Sequence, residues 1–172
     1  MSELVLIVLA RAVHVMSGVA WAGAALVLAT VVLPIATRHG ADGAARWLAL
    51  VARRAGTLVA VSAPLTILSG MYLFAALHPH DASAGGSVLK TGAAAALLSA
   101  AVGVLFSRPA GRTLLQLNQP SVQAGAASSE TVRQLAALRM RAAVSARVAA
   151  ALLGVTVLAM ATFRYASALE PS

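Results

Sequence analysis

Apolar residues run with few breaks through four stretches of this chain, at about 4–36, 55–77, 88–107 and 142–166. With a rise of about 1.5 Å per residue, each can cross a hydrocarbon core roughly 30 Å thick as a helix. None alternates with a period of two, as a membrane barrel strand would, and lipid requires backbone polar groups to be satisfied within the segment. The pattern predicts an all-α, integral membrane four-helix bundle. It forms a single transmembrane domain over 1–172, with helices at about 4–36, 55–77, 88–107 and 130–166 and a cytoplasmic linker at 108–129.

Local signals set these limits. Pro34 cannot continue an ordinary hydrogen-bond ladder and is expected to close the first helix. Gly40 and Gly43 mark a short linker, and Arg53 and Arg54 anchor the inner end of the second helix. Pro64 and Gly70 predict a bend in that helix. The third helix stops before Arg108-Pro109, and Pro120 and Gly125 lie in the linker that follows. Ser128 or Ser129 is placed to cap the fourth helix, whose first turns carry Arg133, Arg139 and Arg141 and are expected to protrude from the membrane. Met1-Ser2-Glu3 is acidic where a signal peptide is basic, so the first apolar run is expected to be retained as a helix.

Composition agrees with the membrane reading, and charge orients it. Hydrophobic residues make up 60% of the chain, charged residues 10%, and the mean hydropathy is +0.86. The net charge is +8, yet the cations are grouped: Arg38, Arg46, Arg53 and Arg54 before the second span, and Arg108, Arg112, Arg133, Arg139 and Arg141 before the fourth. The loop at 78–87 has no Lys or Arg. The excess of cations in short cytoplasmic loops places both termini outside, on the periplasmic side of a bacterial-type inner membrane. The Arg-rich loops are expected to contact anionic lipid rather than nucleic acid. Tyr72, Phe74, Phe163 and Tyr165 fall where an outer aromatic belt is expected. Small residues such as Ser99 and Gly103 allow close packing within the bundle, and a homo-oligomer or a larger membrane complex is compatible with such faces. The absence of cysteine excludes disulfides, iron–sulfur clusters and thiolate metal sites.

Candidate chemistry begins with two polar residues in the first apolar run. Successive helical residues turn by about 100°, so Arg11, His14, Gly18, Trp21, Ala25 and Val32 share one stripe, expected to face the bundle interior. His14 lies roughly 15 Å along the helix, near the middle of the bilayer, where it is either a ligand or proton-handling group or an interhelical hydrogen-bonding residue. Lys90 and Arg164 belong to the same outer side. Three cations there suit an anionic occupant, such as haem propionates, a porphyrin carboxylate, a lipid phosphate or a quinone-like headgroup. His78-Pro79-His80-Asp81 offers imidazoles for copper or zinc, while Met16, Met71 and Met160 offer soft ligands or ordinary packing. No Ser–His–Asp arrangement, phosphate loop or paired-carboxylate site occurs.

Arg11-x-x-His14, then Trp21-x-Gly23 and Pro34, resembles the first helix of the CopD-like membrane proteins, and Val88-Leu89-Lys90 resembles the opening of their third. The same His and Lys resemble those of the HemJ-type four-helix protoporphyrinogen oxidases. The resemblance implies a small helical bundle linked to copper import or to haem and porphyrin. It makes His14 the metal or haem ligand and Lys90 a catalytic or cofactor-contacting residue.

Three readings follow. In the first, the bundle binds haem b or a related porphyrin, with His14 axial, Trp21 alongside, and Arg11, Lys90 and Arg164 on the propionates. In the second, it moves or buffers copper through His14, His78 and His80. In the third, it is a cofactor-free scaffold or accessory subunit. At an effective dielectric of about 20, like unit charges about 8 Å apart repel by roughly 2 kcal/mol, so clustered cations favour a dianionic haem edge over Cu⁺.

Overall fold

The computed structural model describes residues 2–38, 44–78, 82–107 and 129–166, all essentially helical. Helix α1 (Glu3–Val27) passes through a widened π turn (Leu28–Val32) into α2 (Leu33–Arg38). Helix α3 spans Ala44–Leu77, α4 spans Ala84–Val102 with a π turn over Gly103–Ser107, and α5 spans Ser129–Ala166. Four segments within these helices, Glu3–Ile35, Leu50–Leu77, Ala84–Phe106 and Ala136–Ala166, are long and apolar enough to cross a membrane.

Some boundaries differ from the sequence reading, for physical reasons. Pro34 does not end the first helix. Its missing amide deprives the carbonyl four residues earlier, Thr30, of its usual donor. Thr30 lies inside the widened turn, where Leu33 N–H already reaches back five residues to Leu28 O, and the chain continues to Arg38. Helix α3 begins eleven residues before the expected 55, because 44–54 continues the helix beyond the apolar window. It also passes Pro64 without a break. Helix α4 starts at Ala84 because Ser83 caps it, its hydroxyl accepting from Gly86 N–H at 3.1 Å. Helix α5 is described from Ser129 onward. The Gly40–Gly43 linker and 108–128 lie outside the described residues.

The buried apolar residues are mainly alanines, while Leu and Val side chains such as Leu68, Leu98, Val19 and Leu158 face outward. Small residues inside let the backbones approach, and large apolar ones lie outside, the distribution that suits helices long and apolar enough to cross a membrane. Buried with the alanines are Ser17, Ser62, Thr66, Ser99, Ser145 and Thr156. Many of the helical hydroxyls return a bond to the carbonyl one turn back, as Ser62 does to Leu58 O at 2.6 Å and Thr66 to Ser62 O at 2.8 Å.

The helices pack as two tight pairs, α1 with α3 and α4 with α5. In the second pair, Ser99 Oγ donates to Ala149 O at 2.9 Å and Thr156 Oγ1 to Gly92 O at 3.0 Å. The pairs meet around Trp21, which is 3% exposed. Its ring lies against Ala96 and Leu153, among Val59, Ala63, Ile67 and Ala100, so α3, α4 and α5 all contribute to its pocket.

The closest approach in the second pair is at Gly92, where an added Cβ would stand 2.7 Å from the Ala159 Cβ. Gly→Ala within a helix is otherwise stabilising by up to about 1 kcal/mol. Gly92→Ala is expected to lose about 1–3 kcal/mol by overpacking. Gly23→Ala, where nothing lies within 4 Å of the new methyl, is expected to be neutral or stabilising. Thermal unfolding of the two variants in one detergent compares them.

Candidate functional site

The one histidine inside a described membrane-length segment is held from across the first helix pair. His14 Nδ1 lies 2.9 Å from Thr66 O on α3. A carbonyl can only accept, so Nδ1 carries the proton and donates it. Ser69 Oγ stands 3.4 Å from the same nitrogen as a weaker second contact. The Thr66 hydroxyl stands 2.8 Å from both Ser17 Oγ and Ser62 O, which share its one proton, and Ser17 Oγ donates to Val13 O at 2.6 Å. The Thr66 methyl rests 3.6 Å from where a Cβ on Gly18 would be. His14, Ser17, Thr66 and Ser69 thus form a continuous polar seam between α1 and α3.

Gly70 makes room for the ring. A Cβ there would stand 2.8 Å from His14 Cε1 and 3.1 Å from Nδ1. The imidazole therefore lies directly over the α3 backbone, a position that any larger residue at 70 would obstruct.

This arrangement fixes the chemistry of the other nitrogen. In a neutral imidazole with Nδ1 protonated, Nε2 keeps its lone pair. Nε2 takes no hydrogen bond among the described residues, and His14 is only half-buried. No described side-chain nitrogen or oxygen is sealed in the core without a partner, so Nε2 remains accessible. A backbone carbonyl on one ring nitrogen is the support that orients imidazoles which ligate through the other.

The remaining sequence candidates fall into different settings. The expected inward stripe of α1 holds from His14 through Trp21 to Val32, but Arg11 is exposed and not enclosed with His14. A long, flexible side chain one turn nearer the helix start carries its charge outward at little cost. Lys90, in the second turn of α4, and Arg164, in the last turn of α5, are exposed on the same end of the bundle. Arg164 there also complements the helix dipole. Trp21 is used by the core. His78 follows α3 directly and stacks on Phe74, with ring centroids 6.4 Å apart, and meets the edge of Phe163 at 6.0 Å. His80 and Asp81 lie outside the described residues. Among the described residues no three His, Cys, Asp or Glu side chains come together as a metal site.

Sequence reasoning overlooked Ser17, Thr66, Ser69 and Gly70. The signal was present: Ser62, Thr66, Ser69 and Gly70 recur at spacings that place small and hydroxylated residues on one face of an apolar helix. Arg147 was overlooked as well. It is exposed on α5, inside the apolar segment Ala136–Ala166.

Fold and site together define a helical protein with four spans of membrane length and a single oriented imidazole between two of them. No family model, curated protein or solved structure matches the chain.

A double-mutant cycle tests the seat of the ring. Gly70→Ala is expected to destabilise by about 1–3 kcal/mol, because its methyl meets the imidazole. In a His14→Ala background the same change is expected to cost little, giving a coupling of about 1 kcal/mol or more in detergent unfolding. Additive losses would mean that the ring does not lie over Gly70.

Proposed function

We propose that this chain is a multi-pass membrane protein that holds haem b or a related porphyrin through Nε2 of His14. The observation that carries the reading is the bond from Nδ1 to Thr66 O, which in the neutral ring makes Nε2 the nitrogen with the lone pair. A porphyrin brings four nitrogens of its own, so one protein imidazole is enough to anchor it. A bare copper ion needs several protein donors, and among the described residues no group of three or more His, Cys, Asp or Glu side chains forms around His14. This favours haem over the copper reading that the CopD-like resemblance also permits. When bound, the iron would supply one-electron or oxygen chemistry.

The protein's own residues orient and surround such a group. Thr66 fixes the tautomer of His14, and Gly70 sets the position of its ring. Arg11, Lys90 and Arg164 occupy the end of the bundle at which α1 and α4 begin and α5 ends, where cations suit carboxylates. In the proposed orientation that end is periplasmic in a bacterial-type inner membrane.

A cofactor-free scaffold is the second reading, favoured by the same seam. The His14–Thr66 and Ser17–Thr66 bonds already fasten α1 to α3, and membrane hydrogen bonds of this kind are worth about 0.6 kcal/mol on average.

Absorption spectra of the protein purified in mild detergent after expression with excess haem separate the two. The haem reading expects a Soret band that shifts on dithionite reduction and near-stoichiometric iron. It also expects loss of most of the haem in His14→Ala and weaker retention in Lys90→Ala and Arg164→Ala. Full haem occupancy in His14→Ala would remove the assignment, and a colourless, iron-free wild type would favour the scaffold.

A further inference from the structure

Thirteen cations and five acids give +8. Among the described side chains, Arg11, Lys90 and Arg164 belong to the end of the bundle at which α1 begins, with Glu3 at the same end. Arg53, Arg54, Arg133, Arg139, Arg141 and Arg147 are exposed in the opposite half.

Within that half, a groove of 670 Å³ runs along α3, lined by Leu50, Arg53, Arg54, Thr57, Leu58 and Val61. Leu50, Thr57 and Val61 succeed one another at helical spacing on one face, with the two arginines between the first and second turns. The Arg53 and Arg54 side chains are exposed, and neither guanidinium has an ion pair or hydrogen bond among the described residues. Thr57 donates its hydroxyl to Arg53 O at 3.1 Å, which leaves its oxygen facing the groove without a proton to offer. Leu58 and Val61 are exposed as well.

The position along the helix decides what fits. Leu50 opens the membrane-length segment Leu50–Leu77, and Arg54 lies about 34 Å of helix from Leu77, one hydrocarbon thickness away. The guanidinium groups therefore stand at headgroup level, and Leu58 and Val61 continue from them into the acyl region. Trp47, 72% exposed one turn before Leu50, is placed as an interfacial anchor. A free anion would use the cations and leave the apolar floor bare, and an apolar partner helix would strand both charges.

We infer that this groove is a binding site for one anionic phospholipid, its phosphate held by Arg53 and Arg54 and an acyl chain lying over Leu58 and Val61. The inference rests on the membrane-spanning reading and is independent of haem. Arginine suits the role because its planar fork can grip a phosphate through two parallel hydrogen bonds. The bound lipid would neutralise Arg53 and Arg54 and cover the exposed Leu58 and Val61.

The test is native mass spectrometry of the full chain released from phosphatidylcholine nanodiscs doped with phosphatidylglycerol. Wild type is expected to retain one phosphatidylglycerol in preference to phosphatidylcholine. Arg53→Gln/Arg54→Gln is expected to reduce that preference about thirty-fold, from about 1 kcal/mol for each charge near the surface. Arg133→Gln/Arg139→Gln removes the same charge from exposed positions on α5 and is expected to leave the retained lipid in place. Val61→Asn is expected to weaken retention while both cations remain. Equal losses in the two arginine pairs would show diffuse attraction and overturn the site. Displacement of the lipid by inorganic phosphate alone would assign the groove to a free anion and overturn it too. Thermal unfolding of each variant confirms that it is folded, and haem content on the same samples keeps the two proposals separable.

Discussion

In the proposed membrane setting, lipid would offer no hydrogen bonds to these helices, which are long and apolar enough to cross it. Each hydroxyl, imidazole and carbonyl they carry would then need its partner within the protein. That constraint explains the arrangement of the bundle. Hydroxyls on single helices turn back to the carbonyl one turn earlier, as at Thr30, Thr57, Thr91 and Thr162. Where they face a neighbour, they join helices, and each tight pair has its own bonds of this kind. Between the pairs, Trp21 fills the space against Ala96 and Leu153, with Val59, Ala63, Ile67 and Ala100 around it. The result is a polar seam within each pair and an apolar joint between them.

His14 is the residue for which the constraint is only half met. Its Nδ1 is satisfied from α3, its ring is seated over Gly70, and Nε2 is left accessible. In the proposed membrane setting, a histidine used only to join helices would gain by engaging both nitrogens, since an accessible lone pair there would have no water to rely on. Supporting one nitrogen with a carbonyl while leaving the other free is how proteins prepare an imidazole to ligate. The charge distribution makes a similar division along the bundle axis. The end nearer His14 has Arg11, Lys90 and Arg164 exposed at its rim, and the far half has the exposed arginines of α3 and α5.

Much of the architecture was legible in the sequence because span length and hydropathy are properties of single segments. The four apolar runs and the burial of Trp21 on the inward stripe both follow from local pattern. What failed was also physical. Pro34 reads as a stop, but a widened turn absorbs its missing amide. The inward stripe was extended to Arg11, yet a long cation near a helix end is less costly exposed than enclosed. The partners of His14 could not be read from α1 at all, because the register of α1 against α3 is set by the contact of Ser17 and Gly18 with Thr66 and appears in no single segment.

The most direct test of the oriented imidazole is the ¹⁵N spectrum of histidine-labelled protein in detergent, with the His14 signal assigned by its loss in His14→Asn. A Thr66-bound ring is expected as the Nδ1–H tautomer, its Nε2 resonance at the unprotonated position and broadened when ferric haem is added. An Nε2–H tautomer, or an Nε2 resonance unchanged by haem, would contradict both the seating of the ring and the role proposed for it.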